Sequence, residues 1–296
     1  MTRHIRFAAF AAGVASAATV ALWAGHADAY CRTAVCGEEV GKVCEPAQSN
    51  DCGIPIFWPS TCVGFSVQRD ASSEVSLATT REIVAQAFET WSQADCGGGK
   101  PSIVASDLGP VSCSEQTFDS ETKNANLIVF RDDGWAYGKS ALALTTVTYA
   151  LDTGEIRDAD IELNSENAAF SVTDTDVEVD LLSILTHEVG HFLGLAHTPV
   201  ADATMQQDYP PRSITLRSLE PDDVEAICAV YPPGRDGSCS PEPLNGLGDD
   251  CDEAAGSEDG CECSTPASPA GSLAWVGLAA AAAAAVIRRR ARRCAG

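Results

Sequence analysis

Apolar residues recur with the period of an α-helix in three stretches of the chain. Residues 79–93 and 218–229 each carry one apolar stripe, which predicts amphipathic helices packed against a core. Thr79 and Ser218 are the expected N-terminal caps of these two helices. The stretch 179–195 has an apolar pattern that predicts a buried helix.

Shorter runs of β-branched and apolar residues predict five strands. They cover residues 64–68, 102–105, 126–130, 141–147 and 159–163. Cys96 and Cys113 flank a Gly-rich loop in this part of the chain, and we expect them to form a disulfide. Pro232, Pro233 and Gly234 then mark the end of the regular elements.

The first 29 residues have the pattern of a secretory signal peptide. Arg3 and Arg6 precede an apolar stretch, and an Ala-Asp-Ala cleavage sequence ends at Ala29. Cleavage there predicts Tyr30 as the first residue of the mature protein. Residues 30–62 hold five cysteines without clear periodicity, which predicts a disulfide-tied N-terminal segment.

The composition favours an exported globular protein. A hydrophobic content of 45% is enough for a core, and thirteen cysteines are too many for a reducing compartment. Residues 30–270 carry 41 acidic and 12 basic residues, a net charge of −29. This charge excludes nucleic acid as a partner, since phosphates would be repelled, and it favours solubility and some affinity for calcium.

The C-terminal region divides into a stalk and a tail. Residues 234–270 are acidic and rich in Gly, Ser, Pro and Cys, which predicts a partly cross-linked stalk. In the tail, 271–296, a short apolar run precedes five arginines within six residues. This tail resembles the Myxo-CTERM sorting signal of myxobacterial surface proteins, which implies processing near Cys261 or Cys263. The alternative is a plain membrane anchor with its arginines in the cytoplasm.

The buried helix contains an arrangement of residues typical of a metal site. His187 and His191 are four residues apart, so they lie on one helix face and are suited to two corners of a zinc tetrahedron. Glu188 lies beside them, where a carboxylate is suited to accept a proton from water. Gly194 permits a left-handed turn, which would bring His197 to a third corner.

Surface or capping histidines are the alternative interpretation of this motif. Of the five histidines, His4 and His26 lie in the predicted signal peptide, so the motif contains every histidine of the predicted mature chain. Chance placement does not explain that distribution. The pattern therefore predicts one catalytic zinc held by three histidines, with a fourth position open to water.

Residues 187–197 resemble the zinc signature of the metzincin proteases, and Met205 lies where the methionine of their Met-turn follows. Ala87, Phe88 and Trp91 match a pattern of the first matrixin helix. The resemblance to matrixins covers residues 54–233. It implies an α+β catalytic domain, which we place at 63–233, with a twisted mixed sheet, an active-site helix and a C-terminal helix.

The resemblance also implies roles for residues around the zinc. Met205 would form an apolar floor below the ligands, and Tyr209 would line the primed-side specificity pocket. Residues 206–208 replace a proline that matrixins have between these two positions. Strand 141–147 would bind an extended substrate along its edge. The second, structural zinc of matrixins is not expected, because this region of the chain has no histidine.

The predicted function is an exported, surface-attached zinc endopeptidase in which Glu188 is the general base. Its partners are protein or peptide substrates and, through the C-terminal tail, a membrane. One alternative is a catalytically silent zinc-containing adhesion or structural module, although a structural zinc has no need of a general base. Another is hydrolysis of a non-peptide bond by the same metal chemistry.

Residues 152–162 carry several acidic side chains around a turn. Two interpretations remain open for this segment. It binds calcium through its oxygen ligands, although the spacing differs from that of an EF-hand, or it is an ordinary turn that enters an exposed strand.

Overall fold

The computed structural model describes residues 30–35 and 53–249. Its main sheet has five strands in the order β2-β1-β3-β5-β4, in which β4 alone runs antiparallel to its neighbour. The strands are β1 (Cys62–Val67), β2 (Val104–Asp107), β3 (Leu127–Phe130), β4 (Ala143–Tyr149) and β5 (Ile156–Leu163). All five predicted strands are present, with ends displaced by up to three residues. A small second sheet of β6 (Phe170–Ser171) and β7 (Val179–Asp180) was not predicted.

The three predicted helices are present as α1 (Leu77–Ser92), α2 (Leu181–Phe192) and α3 (Pro221–Val230). The predicted caps at Thr79 and Ser218 are wrong. Ser76 caps α1 by accepting a hydrogen bond from the Thr79 amide, and α3 begins at a proline, whose fixed φ suits the first helical position. The mixed sheet with these helices confirms the α+β prediction.

Helices α1 and α2 pack against each other and against one face of the sheet, where they enclose the main core. Strand β3 shows how the two faces differ. Its residues Ile128 and Phe130 belong to the main core, whereas Leu127 and Val129 join a smaller apolar cluster with Val111 on the other face. Because side chains alternate along a strand, both faces of this strand are covered.

The acidic residues of β5 are buried. Asp158, Asp160 and Glu162 alternate with the core residues of the same strand, and each is at most 3% exposed. Burial raises the pKa of Asp158 to about 8 and, with the neighbouring carboxyl of Asp158, raises that of Asp160. Glu162 is paired with Arg131 at 2.6 Å.

The expected turn before β5 is present, and Gly154 adopts a φ of +76° there. The expectation of an exposed strand is wrong, because the loop containing Gln116 covers this face and accepts a hydrogen bond from Thr146 of β4. Among the described residues, the acidic side chains of this segment do not form a group of three that could hold a metal ion. Calcium binding therefore remains only a hypothesis.

Two disulfides join distant parts of the described chain. Cys62 is bonded to Cys239, and Cys96 is bonded to Cys228. The predicted Cys96–Cys113 pair is wrong, because the packing places the end of α1 beside α3 and leaves 5.5 Å between the Cα atoms of Cys96 and Cys228. Cys113 is itself in another disulfide.

Residues 235–249 lie against the sheet domain. The amides of Ser112 and Cys113 both donate to the carbonyl of Asp249, and the Thr61 amide donates to Ser238. The rest of the predicted stalk, the signal peptide and the C-terminal tail lie outside the described residues. Within the described ranges, no helix has the length and apolar character needed to cross a membrane.

Candidate active site

The first turn of α2 is held by a buried, charge-paired cap. Asp180 is fully buried and accepts a hydrogen bond from the Ser183 amide at 2.8 Å. Arg217 donates to both oxygens of the Asp180 carboxylate, at 2.7 and 2.5 Å. A bidentate pair of this kind fixes orientation as well as charge. The helix that carries His187 and His191 therefore begins at a defined position.

The last turn of α2 is held by aromatic donors. The final carbonyls of a helix have no partner within it. Here the indole N–H of Trp58 donates to Phe192 O at 2.8 Å, and the hydroxyl of Tyr231 donates to Leu193 O at 2.9 Å. Both donors are buried, so these carbonyls are satisfied without water.

Gly194 makes the predicted left-handed turn after α2, with a φ of +92°. A Cβ at this position would lie 2.8 Å from Ile56 O, so the turn needs glycine for its space as well as its φ. The amide of Leu195 then donates back to Gly190 O. The reversed chain brings His197 against the face of α2.

The three predicted ligands, His187, His191 and His197, are brought together. Nε2 of His197 lies 3.2 Å from Nε2 of His187 and 3.1 Å from Nε2 of His191. On the other side of two rings, Nδ1 of His187 is 2.7 Å from Thr204 O, and Nδ1 of His191 is 2.9 Å from Leu195 O. A carbonyl requires a proton on Nδ1, which leaves each Nε2 with a lone pair directed at the shared centre.

This donor set fits zinc. Three nitrogens bound tetrahedrally to one zinc at about 2.0–2.1 Å would be about 3.3 Å apart, close to the observed distances. Burial lowers the pKa of His187, and burial together with the neighbouring imidazoles lowers those of His191 and His197 to about 4 and about 2. The rings are therefore neutral at physiological pH, which is the form that binds a metal.

Met205 lies below α2 and is 2% exposed. Its Sδ atom occupies the space that a side chain at Gly190 would need. Asp223 of α3 holds this turn, because its carboxylate accepts hydrogen bonds from the amides of Thr204 and Met205 at 2.7 and 3.0 Å. Since Thr204 O also accepts from His187, Asp223 supports a ligand through one intervening residue.

Glu188 lies on α2 between the first two histidines and is 7% exposed. Burial raises the pKa of its carboxyl, while His191 and a hydrogen bond from Thr145 oppose the change. Thr145 Oγ1 is 2.5 Å from Glu188 Oε2. A buried carboxyl with a raised pKa beside a metal centre is suited to exchange a proton near neutral pH.

The hydroxyl of Tyr209 connects two parts of the site. It accepts a hydrogen bond from the Asp180 amide at 2.9 Å and donates to Ser213 O at 2.7 Å. Its ring packs against the main core. The structure thus places Tyr209 at the start of α2, and its role in a specificity pocket stays a prediction.

Strands β2 and β4 are the two terminal strands of the main sheet, and β4 carries Thr145. Among the described residues, no strand pairs with the outer side of β4, which is called the free edge below. Its ladder with β5 alternates between hydrogen-bonded and non-hydrogen-bonded pairs. The Asn164 amide donates to Leu142 O at the start of this register, so the pairs of Ala143, Thr145 and Val147 are non-hydrogen-bonded. The backbone groups of these three residues therefore face the free edge.

Comparison with known proteins agrees with this arrangement. The sequence profile of the family described as Matrixin matches residues 57–232, more than half of the chain. The chain belongs to the matrixin family. The match includes all five strands of the main sheet, all three helices and the histidine cluster.

Similar proteins include several metalloproteinases. Neutrophil collagenase of Homo sapiens is 26% identical over 174 residues, 59% of this chain and 33% of that protein. Metalloendoproteinase 4-MMP of Arabidopsis thaliana is 42% identical over 62 residues, 21% of this chain and 18% of that protein. Matrix metalloproteinase-21 of Homo sapiens is 29% identical over 168 residues, which are 57% of this chain and 25% of that protein. The chain thus spans a third or less of the length of these relatives.

Sequence reasoning missed several residues that support the site. Thr145, Trp58, Tyr231 and Arg217 carried no local signal, because each acts on α2 from a distant part of the chain. Asp223 lies in the first turn of α3, where an acidic residue suits the helix dipole, and no local pattern shows that it also holds the turn of Met205. The cap of α2 could have been found from a local pattern, because Asp180 is an acidic residue directly before the apolar run of this helix.

Proposed function

We propose that this protein is a zinc-dependent endopeptidase that hydrolyses peptide bonds with Glu188 as its general base. The observation that carries the proposal is the convergence of three neutral imidazoles next to a buried carboxyl group. Membership of the matrixin family and similarity to metalloproteinases support the same chemistry. The proposed ligands are His187, His191 and His197.

Zinc in this site would supply a Lewis acid that polarises the scissile carbonyl and lowers the pKa of water. The residues of the chain then handle the protons. Glu188 accepts one proton from the attacking water and donates it to the leaving amine, so its carboxyl returns to its starting state. The hydrogen bonds of His187 and His191 to backbone carbonyls keep both rings oriented during this cycle.

We propose that the substrate binds as an extended strand along β4. The outward backbone groups of Ala143, Thr145 and Val147 are suited to pair with it, as in other cases of strand addition. Met205 supports the ligands from below, and Tyr209 lines the primed-side pocket. Main-chain pairing along β4 would hold the peptide with little dependence on its sequence, and the pocket would select a side chain.

Metal removal and restoration test this proposal. The purified protein should cleave peptides from a mixed library, lose that activity on chelation, and regain it with about one zinc per chain. Calcium alone should not restore it. His197→Ala should lower the zinc content and abolish cleavage. A protein that binds one zinc but cleaves no peptide would contradict the proposal and favour a binding module, while cleavage of esters alone would favour the non-peptide alternative.

We also propose export and attachment to the cell surface. The disulfides Cys62–Cys239 and Cys96–Cys228 support an oxidising compartment. The proposed mature chain begins at Tyr30, its catalytic domain covers 63–233, and residues 271–296 attach it or direct its processing. N-terminal sequencing should find Tyr30, and deletion of 271–296 should release the protein into the medium. A tail-deleted protein that stays on the cell surface would contradict this role of the tail.

A further inference from the structure

The side chain of Thr145 connects the free edge strand to Glu188. Its Oγ1 atom lies 2.5 Å from Glu188 Oε2 and 3.2 Å from the backbone oxygen of Glu188. Both residues are only 7% exposed. A threonine hydroxyl has a single proton, so the shorter contact identifies the carboxylate as its acceptor.

We propose that Thr145 is a positioning residue that holds one oxygen of the Glu188 carboxylate and leaves the other to exchange protons with the attacking water. This inference rests on the proposed endopeptidase function. A glutamate side chain has several rotatable bonds, and fixing it before the reaction avoids an entropic cost during the proton transfer. A buried hydroxyl on a strand is suited to that task because the strand is itself held by its ladder with β5.

The backbone of Thr145 gives this contact a further consequence. Its N–H and C=O face the free edge, where we propose that substrate pairs with β4. Its side chain instead points toward α2, where it donates to the proposed general base Glu188. Pairing with substrate would therefore restrain the same residue that restrains Glu188. Loss of the hydroxyl should leave the pairing groups in place and reduce kcat more than it changes KM.

Thr146 provides a matched control on the same strand. Its hydroxyl donates to Gln116 Oε1 at 2.7 Å on the opposite face of the sheet. Thr146→Val therefore removes a hydroxyl of the same kind without touching Glu188. Thr145→Val keeps the size and β-branched shape of the side chain and removes its donor, whereas Thr145→Ser keeps the donor.

The test compares these three variants with the unmodified protein, each loaded with zinc. Loss of a hydrogen bond to a charged group predicts a decrease in kcat of about 10- to 100-fold for Thr145→Val, with KM and zinc content almost unchanged. Thr145→Ser should retain most of the activity, and Thr146→Val should lower kcat far less than Thr145→Val does. Crystal structures of the zinc-free protein should show Glu188 in one position with threonine and displaced or in several positions with valine.

The inference is overturned if zinc-loaded Thr145→Val keeps kcat within about twofold of the unmodified protein, since a lost charged hydrogen bond predicts more. It is also overturned if serine does not rescue the activity. If the unmodified protein cleaves no peptide, the proposed function fails by itself and the crystal structures decide the positioning role. An unchanged Glu188 carboxylate in Thr145→Val would then reject that role, and a displaced one would support it.

Discussion

Tyr231→Phe removes one oxygen atom from the structure and should leave two buried backbone groups without a partner. The hydroxyl of Tyr231 donates to Leu193 O at 2.9 Å and accepts a hydrogen bond from the Trp58 amide at 3.1 Å. Tyr231 is fully buried, and the ring that remains in the variant would still fill its site. The variant therefore tests hydrogen bonding separately from packing.

Leaving a buried polar group unpaired costs about 1–3 kcal/mol. Two such groups predict that the free energy of unfolding falls by about 2–4 kcal/mol, if the chain relaxes partly around them. For a domain of about 150–250 residues, that loss corresponds to a decrease in Tm of about 5–15 °C. Leu193 O lies at the end of α2, just before the turn that leads to His197. The variant should therefore also make the position of this turn less well fixed.

Urea denaturation of the zinc-free protein with its disulfides intact would measure the effect. Zinc must be absent because a ligand that binds only the folded state adds to the apparent stability. Tyr137→Phe is the comparison variant. The Tyr137 hydroxyl donates to Glu162 at 3.2 Å and accepts from Gln116 Nε2 at 2.7 Å, but this side chain is only half-buried, so water can take the place of the lost hydroxyl and we expect a smaller loss of stability. The reasoning would be refuted if the free energy of unfolding of Tyr231→Phe were within about 0.5 kcal/mol of that of the unmodified protein, with the same dependence on urea concentration (the m value).

Three other predictions concern packing, pH and cross-linking. Gly190→Ala places a Cβ on the Sδ atom of Met205 and 2.9 Å from Cζ2 of Trp91, so the methionine side chain or the helix must shift. We expect a loss of about 1–3 kcal/mol in stability and weaker zinc binding, measured by urea denaturation and by competition with a chelator. An unchanged zinc affinity would contradict this account of the helix–Met contact. The pKa of Asp158 is raised to about 8 in the folded protein, whereas an unperturbed aspartate has a pKa of about 4. Between these two values the folded protein keeps a proton that the unfolded chain releases, so the free energy of unfolding decreases as the pH rises from about 4 to about 8. Asp158→Asn should therefore raise Tm at pH 9 by more than at pH 5, and a gain independent of pH would argue against burial as the cause. Replacing both Cys96 and Cys228 by Ser should lower the free energy of unfolding by about 2–5 kcal/mol with zinc content unchanged; loss of zinc would instead show that this disulfide supports the metal site.

The features predicted correctly from the sequence were local ones. The histidine motif specifies its own geometry, because a helix and a glycine turn place its three imidazoles within about one turn of each other. The apolar periods identified all three helices, and β-branched runs identified the five strands of the main sheet. Their ends were less accurate, since the caps depend on single residues such as Ser76 and Pro221.

The features that were missed depend on tertiary contacts. Thr145 and Glu188 are 43 residues apart, and Cys96 and Cys228 are 132 apart. No local pattern shows that these pairs meet. The acidic face of β5 was predicted to be exposed for the same reason, because a distant loop covers it. Asp158 on that face is an ordinary surface residue by its sequence and a buried carboxyl in the fold.

The central claim is that Glu188, beside three histidines that hold zinc, performs peptide hydrolysis. The most direct measurement is zinc content together with peptide cleavage for the unmodified protein and for Glu188→Gln, which keeps the shape of the side chain but cannot accept the proton. We predict about one zinc per chain in both and cleavage by the unmodified protein alone. Equal cleavage by both proteins would contradict the role of Glu188, and zinc binding without cleavage by either would contradict the endopeptidase function.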